Sequence, residues 1–210
     1  MDNFSLKTDA MNKIIFSFLL FCLFFTYSME ILAQGKDADA KIPGTSLAKH
    51  TLGESFGGGK IFWLDETGQH GLVAASSDQS AKGLAWNPGK AVASGANSDA
   101  LYTGRKNSEK IVAVQGTGLQ YAARVCIEFT TPSDNVVYKD WYLPSRYELN
   151  LLYQQKTVVG GFNLTSGIYW SSTECTTTPE TSAWEQEFKF GSQHEDDKDM
   201  PDQVRCIRRF

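Results

Sequence analysis

A strand-to-helix joint in the C-terminal half of the chain constrains the fold more than any other feature. It consists of an apolar run at residues 141–143, then Pro144, then Ser145 and Glu148. Because a proline disfavours helical backbone in the residue before it, the apolar run is extended and predicts a short strand. Ser145 and Glu148 have the spacing of a capping box, so a helix is predicted to begin after Ser145. On this interpretation Ser145→Ala destabilises the domain by about 1 kcal/mol and Glu148→Ala by less. The buried face of the helix comprises Leu149, Leu152 and Tyr153.

The N-terminal segment has the organisation of a secretory signal. Residues 14–27 are almost wholly apolar, Lys13 precedes them, and small residues surround Ala33. A basic flank, a short apolar core and a small-residue cleavage site are typical of such signals. The core is shorter than the roughly 20 apolar residues of a membrane span. Residues 1–34 are therefore predicted to be a signal peptide, with a retained membrane anchor as the alternative.

The rest of the chain has the size of one domain. Residues 35–50 are polar and predict a linker, because they bury too little surface to offset the entropy of ordering. Residues 51–210 are predicted to form a single domain. The chain carries 20 Lys and Arg against 24 Asp and Glu. It therefore lacks the basic excess of a nucleic-acid binder, and neither nucleic acid nor stable membrane insertion is expected.

Hydrophobic periodicity predicts further helices and strands. Residues 60–65 and 71–76 are apolar runs separated by a turn, which predicts a hairpin. In residues 184–190 the alternation predicts that Trp184 and Phe190 face the core and that Glu185 faces solvent. The other predicted elements are a short helix capped at Asn107 or Ser108, an amphipathic helix over residues 119–129, and strands over residues 168–173 and 203–210.

Several motifs, taken in order, resemble a family of secreted bacterial domains typified by the C-terminal domain of the Legionella collagen-like adhesin. The motifs are the joint at residues 140–149, Leu152 and Tyr153, residues 169–174, Trp184, Phe188, Gly191 and residues 204–208. The resemblance covers roughly Gly58 to Phe210, and the family has long been described as a domain of unknown function. It implies a C-type-lectin-like α+β fold, with two main helices on a mixed, mostly antiparallel sheet.

Three cysteines remain after signal cleavage: Cys126, Cys175 and Cys206. Export permits a disulfide, an odd count leaves one thiol over, and spacing alone does not select the pair. The C-type-lectin-like framework commonly ties its first long helix to its last strand. The resemblance therefore implies a Cys126–Cys206 disulfide with Cys175 free. Three reduced, buried cysteines are the alternative.

Catalytic motifs are missing from the sequence. It contains no nucleophile elbow, no phosphate loop and no paired-histidine metal motif. His50 at the linker edge and His70 in a turn are predicted to be solvated rather than to act as general bases. No catalytic residue is expected, and the chain is predicted not to be an enzyme.

An acidic run near the C-terminus is the candidate metal site. It contains Glu195, Asp196, Asp197 and Asp199, and calcium binds six to eight oxygen ligands. The Glu-Pro-Asn and Trp-Asn-Asp signatures of calcium-dependent C-type lectins are missing, and Lys198 lies within the run. The run is therefore predicted to be a solvated loop, with no resident cofactor and with calcium as the alternative.

Four residues are candidates for contact with a glycan. Trp86, in a loop rich in glycine, is predicted to be an exposed stacking platform. Arg205, Arg208 and Arg209 match the anionic oxygens of a sulfated glycan, unless Glu185 and Glu187 neutralise them.

The predicted function is that of an exported binding module without catalysis, at the cell surface, in the periplasm or secreted. Its expected partner is a glycan or another surface polymer, as for an adhesin. The alternative is a structural or assembly subunit that binds another surface protein. Both rest on the resemblance, which supports a fold more strongly than a ligand.

Overall fold

The computed structural model describes residues 49–210. The predicted signal peptide lies outside the described residues, and so does the predicted linker except for its last two residues. Within residues 49–210 the chain combines four helices with nine strands, which confirms an α+β architecture. The helices are α1 (Gly104–Gln115), α2 (Ala122–Glu128), α3 (Arg146–Gln154) and α4 (Lys156–Val159). None of these helices is both long and apolar enough to cross a membrane.

The strands form three separate antiparallel sheets. The largest has the order β1 (Ser55–Phe56), β2 (Gly59–Leu64), β3 (Gly71–Ala75), β9 (Ile207–Arg209). A second sheet pairs β4 (Thr131–Ser133) with β5 (Val136–Tyr138). The third has the order β6 (Ile168–Glu174), β7 (Ser182–Glu187), β8 (Gln193–Asp197). The expected single mixed sheet is thus replaced by three, and within the described residues parallel pairing is confined to the Tyr169–Gln203 bridge.

Two hydrophobic cores lie on opposite faces of the largest sheet. Ile61 and Val73 belong to one core, and their neighbours Phe62 and Leu72 belong to the other. This division follows from the alternation of side chains along a strand. Helices α1 and α2 contribute to the first core, and α3 and α4 contribute to the second.

The strand-to-helix joint has the predicted cap. The Ser145 hydroxyl accepts a hydrogen bond from the Glu148 amide, and the Glu148 carboxylate accepts one from the Ser145 amide at 2.8 Å. The run before Pro144 forms only an isolated bridge between Tyr142 and Ile207, so the short strand predicted there is wrong. The capping prediction at Asn107 or Ser108 is also wrong, because α1 begins a turn earlier at Gly104.

The predicted disulfide is confirmed, since Cys126 on α2 is bonded to Cys206. Cys175 is free and buried. The bridge joins residues 80 positions apart. Closing a loop of this length stabilises the folded state by about 4 kcal/mol in the chain-entropy model.

Candidate functional site

A buried ion pair fixes the loops at one end of the domain. Lys198 Nζ donates to Glu174 Oε1 at 2.6 Å, and both side chains are fully buried. The Glu174 carboxylate also accepts hydrogen bonds from the backbone amides of Ser94 and Ala96. Removing either partner would leave an uncompensated buried charge, so the pair holds the 94–96 loop and the segment after β8 in one arrangement.

Above this ion pair lies an open polar cleft of about 270 Å³. Three loops form it: one after Trp86, one that enters β7, and the turn that follows β8. Its lining residues are Asn87, Gly89, Ala91, Glu180, Thr181, Asp197, Lys198 and Asp199. Because the Lys198 ammonium is paired with Glu174, the exposed charges of the cleft are the carboxylates of Glu180, Asp197 and Asp199. The cleft is therefore acidic.

Trp86 does not form an exposed platform, and that prediction is wrong. Its side chain is 0% exposed. Its indole Nε1 donates to the Ser171 carbonyl at 2.8 Å, and Lys198 Nζ lies 4.2 Å from the ring centroid. The physical reason is that an indole can satisfy its one polar group in the core and bury a large apolar area there. Trp86 supports the ion pair beneath the cleft and is not available for stacking.

Two of the three candidate arginines are also buried in ion pairs. Arg205 donates to Asp78 Oδ1 at 2.8 Å and is 1% exposed. Arg208 makes two hydrogen bonds to the Asp140 carboxylate, at 2.8 and 3.0 Å. The partners are therefore Asp78 and Asp140 rather than Glu185 and Glu187. These arginines cannot bind a sulfated glycan without breaking their ion pairs.

Arg209 is the exposed member of the set. Its guanidinium lies over the Tyr102 ring, 4.1 Å from the centroid. It lies on β9, away from the residues that line the polar cleft. The three arginines therefore do not form one anion-binding site.

The acidic run is not a loop, because its first part is strand β8. Alternation along the strand places Glu195 and Asp197 on one face and Asp196 on the other. Asp197 and Asp199 reach the polar cleft, whereas Asp196 lies with Glu185 and Asp202. Asp196 is thus separated from Asp197 and Asp199, so the four residues of the alternative calcium site do not lie together.

Glu185, Asp196 and Asp202 form a carboxylate cluster in which one oxygen of each residue lies within 4.8 Å of the others. Among the described residues this is the one grouping of at least three His, Cys, Asp or Glu side chains at such distances. The prediction that Glu185 faces solvent is wrong, because β7 directs it to the same face as the buried Ala183. Phe190, which was predicted to face the core, lies beyond the end of β7 and is 71% exposed.

Neither the free thiol nor His50 is arranged as a nucleophile or base. Burial, followed by the nearby Glu195 carboxylate, raises the pKa of Cys175 to about 12. His50 is half-buried rather than solvated, because its Nδ1 lies 2.9 Å from Glu54 Oε1 and its ring packs on Phe56. His70 is exposed, as predicted.

Sequence reasoning missed the residues that complete the cleft and the cluster. Glu180 and Thr181 lie in a threonine-rich connection without periodicity, and Asn87 lies in a glycine-containing loop. Asp202 meets Glu185 across 17 positions of sequence (202 minus 185). The pairing of β7 with β8 brings together the strands that carry Glu185 and Asp196. The Leu84–Asp202 bridge and the hydrogen bond from the Asn87 amide to the Lys198 carbonyl add the remaining segments, and no local pattern signals these contacts.

Comparison with known proteins identifies the family. None of the curated proteins compared with the chain matches it. A family model described as the Lcl C-terminal domain matches residues 60–208, which is more than half of the chain. The match spans the capped joint, the disulfide, the cleft and most of the largest sheet, of which β1 lies outside it. The chain therefore belongs to the Lcl C-terminal domain family.

Proposed function

We propose that the protein is an exported, adhesin-like binding module of C-type-lectin-like fold, and that its polar cleft binds a glycan. The observation that carries this proposal is the cleft itself, an open concavity whose exposed lining includes the polar side chains of Glu180, Thr181, Asp197 and Asp199. Hydroxyl-rich sugars are recognised through hydrogen bonds to such groups, whereas a flat apolar patch would favour a protein partner. Family membership supports the adhesin-like part of the proposal.

The charge of the cleft selects among glycans. Glu180, Asp197 and Asp199 accept hydrogen bonds from sugar hydroxyls and attract an amino group. They repel sulfate and carboxylate groups, since like charges at short range are unfavourable. With Arg205 and Arg208 held in ion pairs, the proposed ligand is a neutral or amino-bearing glycan rather than a sulfated one.

Export is supported by the disulfide as well as by the family. Disulfides persist in oxidising compartments and are rare in the cytosol. The Cys126–Cys206 bond joins α2 to the C-terminal strand region, so it belongs to the folded domain. The proposed location is the cell surface, the periplasm or the surrounding medium.

A role in binding without catalysis is supported by the state of the free Cys175 thiol. The thiolate is the reactive form of cysteine, and a buried thiol whose pKa is raised to about 12 supplies little of it near neutral pH. The cleft carboxylates are exposed and are thus suited to hydrogen bonding with a ligand.

A glycan array tests the proposal. The disulfide-bonded domain should bind a subset of neutral or amino-bearing glycans, and Asp199→Asn should weaken that signal by about tenfold. Asp134→Asn is the matched control, because Asp134 is exposed in the β4–β5 turn and its positive φ suits asparagine. Binding only to sulfated glycans, or equal binding by both variants, would contradict the proposal.

The alternative, an assembly subunit, is favoured by one specific feature. Val136 and Val137 in β5 are adjacent, point to opposite faces, and are 50% and 53% exposed. The two-stranded sheet thus presents apolar side chains on both of its faces to solvent. If this hairpin binds another surface protein, Val137→Ser should abolish that complex without changing the array signal.

A further inference from the structure

The carboxylate cluster of Glu185, Asp196 and Asp202 contains a buried side chain that lacks a partner. Glu185 is only 4% exposed, and its Oε2 has no hydrogen-bond partner. Asp202 Oδ2 is likewise buried without a partner. A buried polar atom left unsatisfied costs about 1–3 kcal/mol, and an unpaired buried charge costs more. The cluster therefore lacks a group that should complete it.

Protein cations do not supply that group. None of the ion pairs among residues 49–210 involves Glu185, Asp196 or Asp202. Within the same residues, the one hydrogen bond to a side chain of the cluster is donated by the Asp197 amide to Asp196 Oδ1. Three carboxylates thus converge without a neighbouring lysine or arginine in contact.

The spacing of the oxygens suits a bound cation. Calcium binds oxygen ligands at about 2.3–2.6 Å, so two oxygens on one calcium ion are at most about 5 Å apart. The three carboxylate oxygens lie within 4.8 Å of one another and meet this limit. Asp196 is only half-buried, and His194, which lies opposite Glu185 on β8, is exposed. Water can therefore reach the cluster from the β8 side.

We propose that Glu185, Asp196 and Asp202 bind one divalent cation of the calcium type. The ion occupies the side of β7 and β8 opposite to Asp197, and it is distinct from the glycan cleft. It links β7 and β8 to the segment before β9, because Asp202 lies in that segment. The Asp202 backbone carbonyl accepts a hydrogen bond from the Leu84 amide, which ties the same segment to the loop before Trp86. Its role is to neutralise the cluster and to hold this corner of the domain together.

A shared proton is the competing explanation. Burial, and then the neighbouring carboxylates, raise the pKa of Glu185 to about 9, so the side chain holds a proton near neutral pH when no cation is bound. A cation must displace that proton.

Isothermal titration of the metal-free domain with calcium chloride tests the proposal. One ion should bind per domain, with a dissociation constant in the range of about 0.1–1 mM that is typical of extracellular calcium modules. Glu185→Gln and Asp196→Asn should each weaken binding by at least about tenfold, because affinity follows the number of charged ligands. Asp196→Asn is the second test because this side chain is half-exposed and tolerates substitution better than Glu185.

Asp197→Asn is the matched control, since Asp197 lies on the same strand but on its opposite face. It should leave the calcium titration unchanged. A titration with no binding, or with binding that survives both cluster variants, would overturn the proposal and leave the proton as the occupant. Asp197 lines the glycan cleft but does not belong to the carboxylate cluster. The glycan array and the calcium titration therefore test the two proposals separately.

Discussion

Glu185 is buried, although the alternation of residues along β7 predicted that it faces solvent. A strand with aromatic residues at even positions and charges at odd positions predicts that the charges face solvent. In the folded domain both faces of β7 are covered: Arg146 lies over Trp184 on one side, and Asp202 approaches Glu185 on the other. The identity of the covering residues depends on tertiary packing, which the alternation does not contain.

The stability of the metal-free domain should depend on pH through Glu185. Its pKa is raised from an ordinary 4.5 to about 9, so the folded state binds a proton more tightly than the unfolded state. The stabilisation of the folded state by this proton is complete below pH about 4.5 and is lost as the pH rises towards about 9. Glu185→Gln cannot lose that proton and should gain stability relative to the original protein over this range. Thermal melting in chelator from pH 5 to 9 checks this, and parallel profiles would contradict it.

The capped helix α3 shows what sequence can predict for an element. The spacing of Ser145 and Glu148 specified the cap correctly, because both bonds of a capping box are local. The spacing of the capping box did not predict the tertiary contacts of Glu148. Its carboxylate also accepts from the Tyr102 and Gly104 amides and from the Tyr142 hydroxyl. Burial raises the pKa of Glu148, and these three donors together with the Ser145 amide oppose the shift.

Glu148→Ala should consequently cost more than Ser145→Ala, which reverses the order predicted from the capping box alone. Ser145→Ala removes one cap and should cost about 1 kcal/mol. Glu148→Ala leaves several buried donors without an acceptor and should cost at least about 3 kcal/mol. Denaturant unfolding measures both. Glu109→Ala on the exposed face of α1 serves as the control and should change the free energy by no more than about 0.5 kcal/mol.

At the scale of the whole molecule, the disulfide is the main long-range constraint that the sequence could indicate, and only through the family resemblance. The cleft could not be predicted in the same way. Its residues come from three loops. Trp86, which was predicted to be exposed, is buried beneath Lys198. Loop conformations depend on the buried ion pair of Glu174 and Lys198, whose partners are 24 positions apart.

Removing the disulfide should destabilise the whole domain. The Cys126→Ala/Cys206→Ala variant should lose about 4 kcal/mol, because the unfolded chain regains the entropy of an 80-residue loop. Cys175→Ala is the matched control, since it removes a buried thiol but keeps the bridge. Urea denaturation of the three proteins compares them. Equal midpoints for the double variant and the original protein would show that the bridge contributes little.

The acidic cleft is the proposed binding site for a glycan. The most direct measurement is an amide chemical-shift titration of the isotope-labelled domain with the strongest ligand from the array. The largest shifts should occur at the three loops that line the cleft, around Asn87, Thr181 and Asp199. Largest shifts at the β4–β5 hairpin or around Arg209, with the cleft amides unchanged, would contradict it.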